Sequence, residues 1–326
     1  MRIFDTPCIF VFVCASTILE AQAWGPDGHA MIGNIASEYL SSEAKNGVTM
    51  ILSKEGPGTT MGDVASWADD FKSRNPWSRK LHYADTTNGN TRDMACWDQE
   101  NGYVNCTYIH DRDCVDNFCI SGAISNYTEN LQSGITSGDQ YSNRTLDSLK
   151  FLIHFVGDVS QPLHCGISYD RGGNDVNVTY HVAKQLWPKY AIDDHYTYWP
   201  NNLHAVWDSG MILNKKNFLG SRNELQREIK SLMESKWNDE MHKWDEIIDP
   251  NKWIQDSFDQ AITKAYRFPN GTQIPMREEP VPLTGSYYDK YMCTGCLVEL
   301  QLAKGAARLA NLLNNIDWKN YSGIVN

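Results

Sequence analysis

Between Thr145 and Val159, apolar side chains recur at Leu146, Leu149, Leu152, Ile153 and Val156, the spacing of one buried helical face. Pro162 ends that segment. The same period predicts a helix over Asp27–Leu40, a second from a cap at Ser41 or Ser42 through Leu52, and a third over Met61–Phe71. Further helices are expected over Asn202–Leu213, Arg222–Trp244, Lys252–Tyr266 and Tyr288–Asn315. Asn177–Val182 is the best short strand. Thr86–Ser121 and the proline-rich Pro275–Thr284 read as loops. No internal repeat and no shift in composition divides the chain. The expected architecture is all-α: one compact helical domain over residues 24–326, with long loops tied by disulfides.

Residues Cys8 to Leu19 are apolar apart from Ser16 and Thr17, too short a run to span a bilayer. Ala21-Gln22-Ala23 follows with the small-x-small pattern of a cleavage site. Residues 1–23 therefore read as a signal peptide, cut after Ala23 to leave Trp24 as the new N-terminus. No later segment reads as transmembrane, and no lipid-anchor signal is present. The expected location is outside the cell or in the endomembrane lumen. Acceptor motifs for N-glycosylation at Asn105, Asn126, Asn143, Asn177, Asn270 and Asn320 point the same way. So do seven cysteines that remain after cleavage: Cys96, Cys106, Cys114, Cys119, Cys165, Cys293 and Cys296. That number allows three disulfides and one odd thiol. Cys293-x-x-Cys296 resembles half a zinc site, but no second such pair exists, and a disulfide role suits an oxidising compartment.

Composition narrows the function. Hydrophobic residues make up 41% and charged residues 21%, which supports a sizeable core and excludes extended disorder. The formal charge is −11, and no run of Lys or Arg forms a basic stripe. If this chain handles nucleic acid, something other than Lys and Arg must meet the phosphates. The 11 Trp and 16 Tyr suit stacking or ordinary packing equally.

Among the nine histidines, His154 and Asp158 stand four apart on the helix of Leu146 to Val159, so they share a face. His204 and Asp208 repeat the spacing, and His164 follows Asp158 after a proline turn. Imidazole and carboxylate at that spacing grip a borderline metal such as zinc from two sides. Burying them without partners would cost roughly 2–7 kcal/mol per polar group. A metal offsets that cost, and so does a buried hydrogen-bond network.

Seven motifs then fall in order: Trp24-Gly25-Pro26-Asp27-Gly28-His29, Ala65-Ser66-Trp67-Ala68-Asp69, Leu81-His82-Tyr83-Ala84-Asp85, His154-Phe155-Val156-Gly157-Asp158, Gln161-Pro162-Leu163-His164, Gly172-Gly173-Asn174 and Asn202 through Asp208. Together they resemble the secreted zinc-dependent nucleases of the S-one/P-one family, which includes fungal single-strand nucleases, plant bifunctional nucleases and trypanosomatid 3′-nucleotidases. The likeness runs from Trp24 to Asp208 and resumes near Ala303–Asn315.

The resemblance implies the helical fold of phospholipase C and single-strand nucleases, with three zinc ions. One is held by Asp69, His82, His154 and Asp158. A second is held by His29, by Asp158 as a bridge, and by the free amine and carbonyl of Trp24, so signal cleavage doubles as activation. The third is held by His164, His204 and Asp208. Water activated at the paired zincs attacks phosphorus in line, oriented by Asp69, while the third zinc stabilises the leaving 3′-oxygen. Products carry 5′-phosphates. Lys72 is either a cation for the transition state or an exposed helix lysine. Tyr83 stacks on a base and Asp85 binds its Watson–Crick edge, both of which require an unpaired base. Asn174 donates to phosphate, or serves as a turn residue. The implied partners are single-stranded DNA and RNA and 3′-nucleotides, acted on by a monomer. The family's short bridge falls on Cys114 and Cys119, and Cys106 is matched to the Cys293/Cys296 pair, with Cys296 as its partner. Two competing readings are a zinc phospholipase C of the same fold and a secreted binding protein with structural zinc.

Overall fold

The computed structural model describes residues 24–86, 97–98, 102–103, 107–180, 201–245, 248–283 and 285–320. Its axis is the helix Asn143–Asp158, begun by Ser142, whose hydroxyl accepts from the Thr145 amide at 3.1 Å. Every residue from Ser148 to Asp158 is buried, as expected of a helix enclosed on all sides. The helices packed around it include Gly25–Glu38, Trp67–Arg74, Ile120–Thr136 and Leu297–Asn314. None among the described residues is long and apolar enough to cross a membrane.

The first and central helices touch where Gly157 has no side chain. A Cβ there would lie 2.7 Å from His29 Nδ1. The last long helix is buried along nearly its whole length, and its polar residues are paired. Gln301 donates to the Ser160 carbonyl at 2.9 Å, and Lys304 and Arg308 both hold Asp256, at 2.8 and 2.7 Å.

The predicted helices are present, with breaks. Met61–Phe71 forms two pieces, Met61–Val64 and Trp67–Arg74. The break has a cause: the Ala65 carbonyl accepts from His154 Nδ1 at 2.7 Å, and the Asp69 amide turns to the Ser66 carbonyl instead. Arg222–Trp244 divides into Arg222–Glu234 and Asn238–Asp245. Tyr288–Asn315 divides at Cys296, which is left-handed with φ 50°. Ile120–Thr136 is a helix that the sequence pattern did not reveal, and it begins inside the predicted loop Thr86–Ser121.

Strands are few. Val178–Tyr180 lies within the predicted Asn177–Val182; positions 181 and 182 fall outside the described residues. Its partner, Val281–Leu283, comes from the stretch expected to be only loop, and the two run parallel with Val178 opposite Val281. Pro282 is tolerated because this is an edge strand. Trp97–Asp98 pairs antiparallel with Gly102–Tyr103.

Candidate metal centre

The central helix delivers His154 and Asp158 one turn apart, both fully buried. His29 comes from the first helix and stacks on His154, ring centroids 4.0 Å apart. Asp69 comes from Trp67–Arg74, and His82 closes the 3-10 helix Pro76–His82. The two oxygens of Asp158 face different partners. Oδ1 lies 3.1 Å from His29 Nε2. Oδ2 lies 2.9 Å from His82 Nδ1 and 3.2 Å from His154 Nε2. Asp69 Oδ1 stands 3.6 Å from His154 Nε2 and 3.9 Å from His82 Nδ1. The donors thus form two adjoining sets: His29, His154 and Asp158, and Asp69, His82 and His154.

Trp24 is fully buried beside them. Its indole nitrogen donates to Ser160 Oγ at 2.9 Å, and its carbonyl accepts from the Gly28 amide at 3.1 Å. Lys72 is buried rather than exposed, with Nζ 2.6 Å from Asp69 Oδ1.

A third set gathers His164, His204 and Asp208. His204 Nε2 lies 3.4 Å from Asp208 Oδ2, and His164 Nε2 lies 3.9 Å from Asp208 Oδ1. Asp208 sits in a π-helical turn, Val206–Gly210, a local widening that recurs at functional sites.

Each of three rings is oriented by its second nitrogen. Nδ1 of His154, His164 and His204 donates to the carbonyls of Ala65, His82 and Gly172, at 2.7, 2.7 and 2.6 Å. That fixes the tautomer so that Nε2 presents a lone pair to the cluster. Gly172 meets this demand with φ 63°, and a Cβ there would strike the Leu163 carbonyl at 2.3 Å. The two centres are joined through His82, whose ring serves one while its carbonyl holds a ring of the other.

Charge is distributed unequally. Burial alone would push Asp158 up, but the charge of His154 and the imidazoles of His154, His29 and His82 gathered around it hold it well below the carboxylate range. Burial disfavours charge on His154 too, yet Asp158 and Asp69 outweigh it and raise the imidazole. Burial lowers His82 to about 4 and, with His164, lowers His204 to about 3. Burial pushes Asp208 well above its ordinary value, opposed by a 2.6 Å hydrogen bond from Gln161.

Several of these buried atoms have no hydrogen-bond partner: both nitrogens of His29, His82 Nε2, His164 Nε2 and one oxygen each of Asp69, Asp158 and Asp208. Leaving buried polar atoms unpaired is costly. Converging lone pairs of this His/Asp composition are what a borderline divalent cation requires. The three sets fit metal ions.

Beside these sets, some neighbouring residues are only partly buried. Tyr83 and Asp85 are half-buried, alternating with buried Ala84 and Thr86 along a segment tied to His164 and Gly166 by the Ala84 and Thr86 amides. Burial raises Asp85 to about 6, with Lys80 drawing it down, and burial raises Tyr83. Asn174 donates through Nδ2 to the Arg171 carbonyl at 2.8 Å, the geometry of the turn residue given above as the alternative to a phosphate donor.

Two positioning residues escaped the sequence reading. Gln161 holds Asp208 and also accepts from the Leu163 amide at 2.5 Å. Asp170 accepts from the Gly173 amide and the Tyr266 hydroxyl, both at 2.8 Å, and so steadies the loop whose Gly172 carbonyl holds His204. Gln161 lay within a recognised motif and Asp170 two residues before one, but only contacts reveal their tasks.

Cys114 and Cys119 form a disulfide. Cys106 lies outside the described residues, as does the side chain of Cys293, and Cys296 is half-buried. Asn126, Asn143, Asn177 and Asn270 are exposed; Asn105 and the side chain of Asn320 lie outside the described residues.

Comparison with known proteins matches residues 24–317 to a family described as S1/P1 Nuclease. Endonuclease 4 of Arabidopsis thaliana is 31% identical over 316 residues, covering 94% of this chain and 93% of that protein. Nuclease P1 of Penicillium citrinum is 29% identical over 305 residues, covering 90% and 97%. Nuclease S1 of Aspergillus oryzae is 30% identical over 204 residues, covering 61% and 59%.

Proposed function

The chain belongs to the S1/P1 nuclease family, and from that premise we propose a zinc-dependent phosphodiesterase that cuts single-stranded DNA and RNA to 5′-phosphate products and also removes 3′-phosphates from nucleotides. It acts as a monomer, exported after cleavage behind Ala23 and glycosylated at exposed acceptor asparagines. The observation that carries this reading is the convergence of buried, unpartnered His and Asp atoms in three sets.

Asp69, His82, His154 and Asp158 would hold one zinc, His29, Asp158 and the backbone of Trp24 a second, and His164, His204 and Asp208 a third. Zinc in such sites supplies Lewis acidity, making water nucleophilic near neutral pH and stabilising charge on phosphoryl oxygens. The chain's own groups do the rest. Lys72 fixes Asp69 and keeps positive charge beside it. Asp158 presents one oxygen to each half of the paired set. Tyr83 offers a ring to an unpaired base, and Asp85, charged above about pH 6, accepts from its edge. A base within a duplex exposes neither its face nor that edge, so duplex is the poorer substrate. Asn174 would donate to the phosphate.

The test is metal analysis of the mature chain beside cleavage of one sequence in single-stranded and duplex form. Three zincs per chain, faster cutting of the single strand and 5′-phosphate ends are expected. Full activity in zinc-free protein, or ends bearing 3′-phosphates, would overturn the proposal.

A further inference from the structure

Residues 72–80 run against the acidic character of the chain. Lys72, Arg74, Arg79 and Lys80 fall in this stretch, and no Asp or Glu stands between Asp70 and Asp85. The cations are interrupted by Asn75-Pro76-Trp77-Ser78, so they form no continuous run in sequence. In the fold most of this stretch, the ridge, is exposed. Lys72 turns inward to Asp69, while Arg74, Trp77, Arg79 and Lys80 are exposed. Trp77 is 54% exposed, unusual for so large a ring. It is nevertheless anchored: Phe71 meets it edge-on at 6.0 Å, and Phe71 meets Phe151 of the central helix edge-on at 5.2 Å.

The ridge continues directly into the candidate site. Trp77, Arg79 and Lys80 lie on the 3-10 helix that ends at His82, followed by Tyr83, and Arg74 ends the helix before it. At a rise of about 2.0 Å per residue, Trp77 lies about 12 Å along the chain axis from Tyr83. Stacked nucleotides rise about 3.4 Å each, so that interval is a few nucleotides. Exposed rings set among cations are the means by which proteins hold single strands without reading sequence.

We propose that Arg74, Trp77 and Arg79 form a second binding site for the substrate strand, in which a base stacks on Trp77 and the two arginines meet neighbouring phosphates. The proposal rests on the nuclease reading above and adds to it the part of the strand beyond the reacting phosphate. Lys80 lies near enough to Asp85 to influence its charge, so it is left unaltered in the test.

The mature enzyme and the variants Trp77→Ala, Trp77→Phe and Arg74→Gln/Arg79→Gln are assayed on a thymidine dinucleotide and on an oligothymidylate. The oligothymidylate has roughly 20 nucleotides, longer than the ~4–16 of common single-strand sites. Trp77→Ala raises KM for the long strand about tenfold, and Trp77→Phe restores most of it. The double variant lowers the salt slope for the long strand by about 1.4, or about 0.7 per lost phosphate contact. Dinucleotide cleavage matches the parent in every variant. Equal loss on both substrates would make Trp77 merely a support for His82 and overturn the proposal, as would an unchanged KM for the long strand. A parent enzyme that cuts neither substrate would remove the nuclease reading and the ridge with it. A parent that cuts both, with variants indistinguishable from it, would remove the ridge alone.

Discussion

The five-residue cluster around Asp158 and the three-residue cluster around Asp208 contain the same donor types but are held in different ways. The first draws mainly on helices, and its charges compensate one another: His154 is raised and Asp158 lowered, each largely by the other. The second is held from outside, by the carbonyls of His82 and Gly172 and the side-chain amide of Gln161. Burial pushes Asp208 well above its ordinary value and, with His164, lowers His204 to about 3. One cluster is pre-assembled by its own electrostatics. The other is set by outer hydrogen-bond partners, and burial disfavours charge on both its carboxylate and His204.

The largest effect that sharpens this contrast is expected from Asp158→Ala set beside Asp208→Ala. The first should lose two metal ions per chain and the second one, by elemental analysis. Activity in the first should fall about a thousandfold or more, since several kcal/mol of charge stabilisation disappear. Equal metal loss in the two variants would erase the distinction.

A chain that begins at Ala23 instead of Trp24 should come next. The extra residue converts an α-amine with an ordinary pKa of about 7.7–8.0 into an amide, a poor ligand. Such a chain should fold, keep the metal of the Asp208 cluster, lose the one beside His29 and lose nearly all cleavage. Trp24→Ala with a correct terminus should retain more, because the implied ligand atoms belong to the backbone. Preparations with termini verified by mass spectrometry decide the matter, and full activity in the extended chain would exclude Trp24 from the site.

Gln161→Leu should act on one cluster only. Loss of such an outer partner weakens metal affinity by about 10–100-fold. Chelator titration should then show one ion released early and two at the parent concentration. Uniform release would mean that the clusters are not independent.

The smallest effect is expected from Asp170→Asn. Burial raises Asp170 to about 7, so between about pH 4 and pH 7 the folded chain binds more protons at this group than the unfolded chain. Its contribution to stability is therefore greatest below about pH 4 and declines as pH rises through 7. Asparagine keeps the Oδ1 acceptor and cannot titrate. The melting temperature of the variant relative to the parent should climb across that window by several degrees, at about 2–4 °C per kcal/mol. A difference that stays constant with pH would show that Asp170 does not titrate there.

Much of this was legible in the sequence where periodicity and chemistry coincide. Leu146, Leu149, Ile153 and Val156 gave away the central helix, and His154 with Asp158 lay on it at one-turn spacing. Ile120–Thr136 stayed hidden because Ser121, Gly122, Ser125, Asn126, Thr128 and Ser133 dilute its apolar face with residues of weak helix propensity. The break after Val64 was equally unreadable, since it depends on a carbonyl captured by a histidine 89 residues away. Joining Asp69 and His82 to His154 came from family likeness, not from spacing, because no local pattern announces a contact between distant elements. The three exposed cations near Trp77 were overlooked because they are interspersed with neutral residues, and only burial of Lys72 beside exposure of the others reveals a surface.

Gly157 carries one last implication. Because the first and central helices meet at a residue without a side chain, the gap between His29 and the His154/Asp158 pair is a mechanical clearance, set by how closely two rods can lie. Core substitutions remote from every donor can shim those rods apart by a few tenths of an ångström while leaving the molecule folded. Across a graded series of such substitutions at the helix crossing, turnover should fall while melting temperature has scarcely moved, so that catalysis serves as the finer gauge of the packing.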